Sequence, residues 1–369
     1  MKNKTETQDP EEQYNLGLMH ANGQGAPKDA EEAVEWFRLA AEQGNIKAQY
    51  HLGGMYFKGE GVTKDNKKAV KWYRLAAEQR YADAQFILGA IYANGEGVPG
   101  DSKEAMKWYR LAAEQGQARA QFMLGVMHAN GEGVPEDYKE AVKWYRLAAE
   151  QAHSDAQLNL GVMYANGNGV PADEKAAAKW YRMAAEQGIA VAQFNLALVH
   201  DKGEGVPEDR EEAVKWYRLA AEQGLANAQL NLGARYEDGK GVPQDDEQAA
   251  KWYRRAAEQG LSLAQFNLGV RYDNGKGVPE DGKEAVRWYR LAAEQGHAMA
   301  QYNLGLSYRL GSGVPEDPVM AYAWINLAGS NGKDVSEAKR VIEEKLSPEG
   351  ISEAHGLTRQ LKKDYPDIY

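Results

Sequence analysis

One glutamine recurs along the chain at Gln13, Gln49, Gln85, Gln121, Gln157, Gln193, Gln229, Gln265 and Gln301, always at an interval of 36 residues. The apolar positions around it keep the same register. Leucine stands three places later, from Leu16 and Leu52 through to Leu304, and glycine follows in eight of the nine repeats, with Ala197 as the exception. Seven places after the glutamine comes a tyrosine such as Tyr56 or Tyr164, or a histidine at His20, His128 and His200. Alanine usually precedes the glutamine, as at Ala48 and Ala84. These offsets share one face of a helix, so each repeat opens with an amphipathic helix A. A second helical stripe, helix B, reads Ala141-Val142-Lys143-Trp144-Tyr145-Arg146-Leu147-Ala148-Ala149 in the fourth repeat. All nine tryptophans fall in one of its columns, from Trp36 to Trp324. A fixed period of this length marks a solenoid, in which one helical hairpin buries its faces only against its neighbours.

The link between the helices is as regular as the helices. In the fourth repeat it reads Asn130-Gly131-Glu132-Gly133-Val134-Pro135-Glu136-Asp137, and both glycines occur in all nine repeats. The first is placed to end helix A at positive φ, and the proline blocks continuation of that helix. The aspartate, also present nine times, is placed to cap the start of helix B. Three residues later stands Glu32, Glu104, Glu140, Glu212, Glu284 or Gln248, which is capping-box spacing. Arg146 and Glu150 are spaced to pair across one helical turn.

The ninth repeat departs from the pattern. Ile325, Asn326 and Gly329 replace an aromatic residue, an arginine and an alanine, as expected where an array ends. Two further helices are predicted over 335–346 and 348–361, the second with proline at its first position. The chain thus divides into a polar tail over 1–9, nine repeats over 10–336, and C-terminal capping helices with a tail over 337–369. On this reading Trp144→Ala in a central repeat costs about 3–5 kcal/mol, and Trp324→Ala at the degenerate end costs less.

Composition adds mainly exclusions. Acidic and basic residues are interspersed, the net charge is -10, and no basic block is present, so no nucleic-acid partner is expected. The absence of cysteine excludes disulfides, thiol catalysis and cysteine zinc sites. No run approaches about 18 apolar residues, so no membrane span is expected. The segment Met1 to Pro10 lacks the apolar core of a signal peptide, which points to the cytoplasm as written, or to the periplasm or exterior if a leader was removed. His51, His153, His297 and His355 are scattered singly, and no pair has metal-ligand spacing. The glycine-rich loops follow no strand, so the dinucleotide and phosphate-loop readings lack their context. No cofactor, no metal and no catalytic residue is expected, and the chain is taken as a monomer.

The pattern Ala-Gln-x-x-Leu-Gly-x-x-Tyr, then Gly-x-Gly-Val-Pro-x-Asp, then Glu-Ala-x-Lys-Trp-Tyr-Arg-x-Ala-Ala resembles the Sel-one-like repeat family, a relative of the tetratricopeptide repeat. The likeness covers about 324 of 369 residues. It implies an all-α, right-handed superhelical α-solenoid with helix A lining the concave side. It also implies an adaptor in signalling, secretion, envelope assembly or host contact, with no shared catalytic residue. Many bacterial members are exported, and some carry a disulfide in each repeat, which this chain has no cysteine to form.

With helix A on the concave side, offsets +2, +5 and +9 from the glutamine face the groove. The +2 column is the candidate binding surface: Asn15, His51, Ile87, Met123, Asn159, Asn195, Asn231, Asn267 and Asn303. A side-chain amide donates and accepts together, so a row of them holds an extended backbone without reading its sequence. Ile87 and Met123 would take an apolar side chain. The +9 column, with Asn22, Lys58, Asn94 and Asn130, precedes the loop glycine, where asparagine is more often a helix-ending device than a ligand contact. At +6 and +8, Met19, Met55 and Phe57 in early repeats give way to Arg235, Arg271, Asp201, Glu237, Asp273 and Arg309 in later ones. Two readings stay open there: a partner that binds one half, or drift in which each charge pairs with its neighbour. The tryptophan column, flanked by alanines, is core rather than a sugar-stacking platform.

The function these features imply is a protein–protein interaction scaffold holding a peptide or protein segment in the groove. The alternatives are an envelope-associated or host-contact accessory protein, and a structural array without a dedicated ligand. Eight columns identical in all nine repeats keep the last one open.

Overall fold

The computed structural model describes residues 7–365, so 1–6 of the expected polar tail and 366–369 of the C-terminal tail lie outside the described residues. Among the described residues there are twenty helices and no strand. The chain divides into two compact units, residues 1–184 and 185–369. The first holds α1 (Pro10–Asn22), α2 (Ala30–Glu42), α3 (Ile46–Lys58), α4 (Asn66–Glu78), α5 (Ala82–Asn94), α6 (Ser102–Glu114), α7 (Ala118–Asn130), α8 (Tyr138–Glu150) and α9 (Ser154–Asn166). The boundary falls inside α10 (Glu174–Glu186). The second holds α11 (Ala190–Lys202), α12 (Arg210–Glu222), α13 (Ala226–Asp238), α14 (Asp246–Glu258), α15 (Ser262–Asn274), α16 (Gly282–Glu294), α17 (Ala298–Leu310), α18 (Pro318–Ser330), α19 (Ser336–Glu343) and α20 (Pro348–Asp364). Odd-numbered helices up to α17 are the A helices and even-numbered ones up to α18 the B helices. Within each unit the A and B helices pack each on the next, and α19 and α20 both pack on α18, which is the solenoid the repeat demanded.

The recurring glutamine is buried throughout, and the structure shows its work. Gln121 donates through Nε2 to the Ala113 carbonyl near the end of α6, at 3.1 Å. Its Oε1 accepts from Gln151 Nε2 after α8, at 2.7 Å. The same pair of bonds recurs at Gln49 and Gln85 in the first unit and at Gln229 and Gln265 in the second. One side chain thus ties its own helix A to the B helices before and after it. At Gln13, with no B helix before α1 among the described residues, the Thr7 carbonyl takes the side-chain amide at 2.7 Å instead. At the far end Asn331 replaces the donating glutamine, at 3.1 Å from Gln301.

Glycine in helix A makes room for the residue that follows the tryptophan, a tyrosine in seven of the nine repeats. A Cβ added to Gly161 would lie 2.7 Å from the Tyr181 ring. These tyrosines are buried: Tyr217 is 0% exposed and Tyr145 2%. The loop glycines act as the pattern implied. Gly131 ends α7 at φ 71, donating to the Met127 carbonyl. A Cβ on Gly133 would meet the Ser102 carbonyl oxygen at 2.8 Å, so that glycine lets one repeat's loop lie on the preceding B helix.

Three expectations need correction. The aspartate caps helix B, with Asp137 accepting from the Glu140 N–H at 3.0 Å, but the return half of the capping box is absent. The Asp137 N–H is already taken by the His128 carbonyl at 2.9 Å, and Glu140 pairs with Lys143 at 2.7 Å. Arg146 does not turn back to Glu150; it donates to the Tyr164 hydroxyl of the next repeat at 2.6 Å. The tryptophan forecast is also reversed. Trp324 is 2% exposed because α19 and α20 pack on α18 and seal it with Ile342 and Ala354, whereas Trp144 is only partly buried.

The burial therefore sets the order of two mutational costs. Trp324→Ala should cost about 3–5 kcal/mol and Trp144→Ala less, read as the larger fall in melting temperature for Trp324→Ala. Equal or inverted falls would show that the C-terminal helices do not seal the array.

Candidate binding cleft

In the first unit a cleft of about 770 Å³ runs along α3 between α1 and α5. Its origin lies in two small residues. At offset +5 most repeats carry leucine or valine, as at Leu18, Val126 and Val162, but here stand Gly54 and Ala90. A Cβ placed on Gly54 would meet nothing nearer than the Tyr73 hydroxyl, at 3.4 Å. The floor is buried and apolar, formed by Phe37, Met55 and Ile91, with Tyr73 beside them. Tyr50, His51, Phe57 and Ile87 form the half-buried walls. The His51 ring stacks on Phe37 with centroids 5.3 Å apart. Burial, with Lys58 nearby, lowers the His51 pKa, so its imidazole is neutral at neutral pH and the walls carry no charge there.

Of the nine candidate residues, the structure brings two together, His51 and Ile87. Met123 packs against the core around α5 to α7 rather than lining the cleft. Asn15 is exposed on α1. In the same unit Asn159 is half-buried beside the Tyr145 phenol. In the second unit Asn195 and Asn267 are half-buried, Asn231 lies beside the Tyr217 phenol and Asn303 beside that of Tyr289. Burial raises all three phenols, and each amide pulls the other way. Three of the asparagines thus lie beside a buried tyrosine of the repeat before, which the spacing alone did not reveal. The +9 column is also partly engaged: Asn130 donates to Glu132 at 2.8 Å and Asn274 to the Val270 carbonyl at 2.8 Å.

The charges of the second unit pair between repeats. Arg235 meets Asp201 at 3.0 Å. Arg271, with 2% of its side chain exposed, meets Glu237 at 2.6 Å and also Asp246. Of the two readings left open by the +6 and +8 columns, pairing with the neighbour holds for these arginines. The signal was present in the sequence as a cation at +6 facing an acid at +8 one repeat earlier.

Among the described residues no group of three or more histidines and carboxylates is placed to hold a metal, and no helix is long and apolar enough to cross a membrane. The scattered histidines have local roles. His153 and His297 each stand before a helix A, accept from its first turn, and stack on Phe122 and Phe266 with centroids 4.7 and 4.8 Å apart. His128 replaces the tyrosine that an arginine of the preceding repeat would otherwise reach, and it is 8% exposed.

A stack of helical hairpins repeated every 36 residues defines the class: an α-helical repeat protein. The Sel1 repeat family model matches nine times, at residues 13–45, 46–81, 82–117, 118–153, 154–189, 190–225, 226–261, 262–297 and 298–333. The chain belongs to the Sel1 repeat family. It is 36% identical to a Sel1 repeat protein from Oxalobacter formigenes of known crystal structure, over 88% of this chain and 92% of that one, with a TM-score of 0.65. It is 34% identical to a protective antigen of uropathogenic Escherichia coli strains that displays the same repeat fold, over 99% of this chain and 94% of that one, with a TM-score of 0.57. A comparison with curated proteins finds no match.

The buried histidines give a pH dependence with a definite sign. Burial is the first cause lowering the pKa of His51, His128, His153 and His297. Each folded-state value lies below the unfolded value of about 6.5, so the unfolded chain binds more protons as acid is added. Stability is complete above about pH 6.5 and declines as pH falls below it. His128→Tyr should raise the melting temperature at pH 7.5, because Arg110 gains the phenol that Arg146 has in Tyr164, and should lessen the decline between pH 7.5 and 5.5. Thermal melts at the two pH values check both effects; an unchanged pH slope would mean that His128 is not held neutral by burial.

Proposed function

We propose that this protein is a non-catalytic scaffold that holds a peptide or protein segment on its helix A side, with the α3 cleft as the principal contact. Sel1 repeat proteins generally act as protein-interaction scaffolds. The observation that carries the finer reading is the cleft itself. Where two successive repeats carry small residues at offset +5, Gly54 and Ala90 leave an apolar, aromatic-walled opening of about 770 Å³, within the size range of ligand sites. The amide column contributes less than its regularity suggested, since Asn159, Asn231 and Asn303 lie beside buried tyrosines. A second reading, contact with a host or with envelope components, is favoured by the 34% identity to the Escherichia coli protective antigen.

Capture from lysate with three forms of the protein tests the proposal: the intact chain, Ile87→Arg, and a chain carrying Asn159→Ala, Asn195→Ala, Asn231→Ala and Asn267→Ala. Each must first show an undiminished helical circular dichroism signal. A partner of the intact chain should be lost with Ile87→Arg and largely kept by the asparagine variant. Retention by Ile87→Arg would move the site away from the cleft, and loss from the asparagine variant alone would restore the amide row as the binding surface.

A further inference from the structure

The α3 cleft also has a direction. Its rim is supplied by three successive repeats. Lys28, after α1, brings a cation to one end. In the middle Lys58 and Glu60 lie 3.8 Å apart and offset each other. At the other end Glu96, after α5, brings an acid, held by Asn94 at 3.4 Å. The rim thus runs from positive at α1 to negative at α5 over an apolar floor. Asn22 and Asn94 place an amide at each end, able to bond a passing backbone. A linear ligand with separated ends matches this arrangement better than a compact one, because complementary charges fix register while the buried floor supplies the anchor.

We propose that the cleft takes an extended protein segment with an aromatic or aliphatic anchor, flanked by an acidic residue toward α1 and a basic residue toward α5. This deepens the scaffold reading and rests on it. The anchor enters between Phe57 and Ile87 over Gly54, the acid pairs with Lys28, and the base pairs with Glu96.

Gly54→Leu is the decisive variant. Leucine already fills this column at Leu18 and Leu198, and it is a better helix former than glycine, so the fold is kept while the cleft is filled. The probes are fluorescein-labelled eleven-residue peptides in a Gly-Ser background, followed by anisotropy. One carries Glu, Trp and Lys at spaced positions; two carry Trp between like charges, Glu and Glu or Lys and Lys; one carries Ser in place of Trp. The Glu-Trp-Lys peptide should bind at least tenfold tighter than the other three, and Gly54→Leu should weaken it at least tenfold. Equal binding of all four, or unchanged binding to Gly54→Leu, overturns the proposal. Equal affinity for free N-acetyltryptophanamide overturns it too, by making the cleft a small-molecule pocket. If Gly54→Leu still captures the partner of the intact chain, this assignment fails while the scaffold reading stands; if the intact chain holds no protein partner, that reading fails as well.

Discussion

The structure depends on one buried amide repeated along its length. A glutamine side chain taken out of water must satisfy both its donor and its acceptor, since a buried polar group left unmade costs about 1–3 kcal/mol. Gln121 meets the requirement only with the Ala113 carbonyl on one side and Gln151 on the other. The demand therefore fixes where two B helices stand relative to one A helix. Apolar contacts between alanines tolerate sliding; this bond pair does not. It accounts for a period of 36 residues that never slips, because an inserted residue would orphan a buried amide. The ends obey the same demand, through Thr7 at the front and Asn331 at the back.

A register this rigid makes variation readable. Once every column has a fixed place, a departure in one repeat changes a surface without moving the stack. Gly54 and Ala90 open the α3 cleft in this way, and Phe57 and His51 wall it where other repeats carry alanine or a charged residue and, mostly, asparagine. In the second unit the departures at Arg235 and Arg271 are taken up by acids of the neighbouring repeat and close the surface with ion pairs. The two units spend their freedom differently, one on an apolar opening and the other on charge pairing.

Much of this was legible in the sequence. The period, the two helices, the aspartate cap, the loop glycines and the two C-terminal helices follow from spacing and local chemistry. What was not legible depends on contacts between repeats. The Asp137 N–H was assigned to Glu140 because local pairing is all that spacing shows, yet the His128 carbonyl reaches it first. Arg146 was matched to Glu150 on the same helix, whereas Tyr164 lies on the next. The degenerate surroundings of Trp324 suggest a smaller cost for its truncation, but the covering helices come from beyond the repeat pattern. The binding residues were half legible. The helical wheel put offsets +2, +5 and +9 on one side, and the cleft uses all three at Ile87, Gly54 and Asn94. It could not show that Asn159 faces a tyrosine of the repeat before it.

Membership of the Sel1 repeat family is consistent with this division between a fixed frame and variable columns. A solenoid stabilised between neighbours needs no single central core, so surface columns are free to change. The most direct test of the frame is a double-mutant cycle on Gln121→Leu and Gln151→Leu, with denaturant unfolding analysed as coupled repeats. If the amide pair sets the register, the two losses are strongly non-additive, with a coupling of about 1 kcal/mol or more. Losses that add to within about 0.3–0.5 kcal/mol would contradict the account and return the register to apolar packing alone.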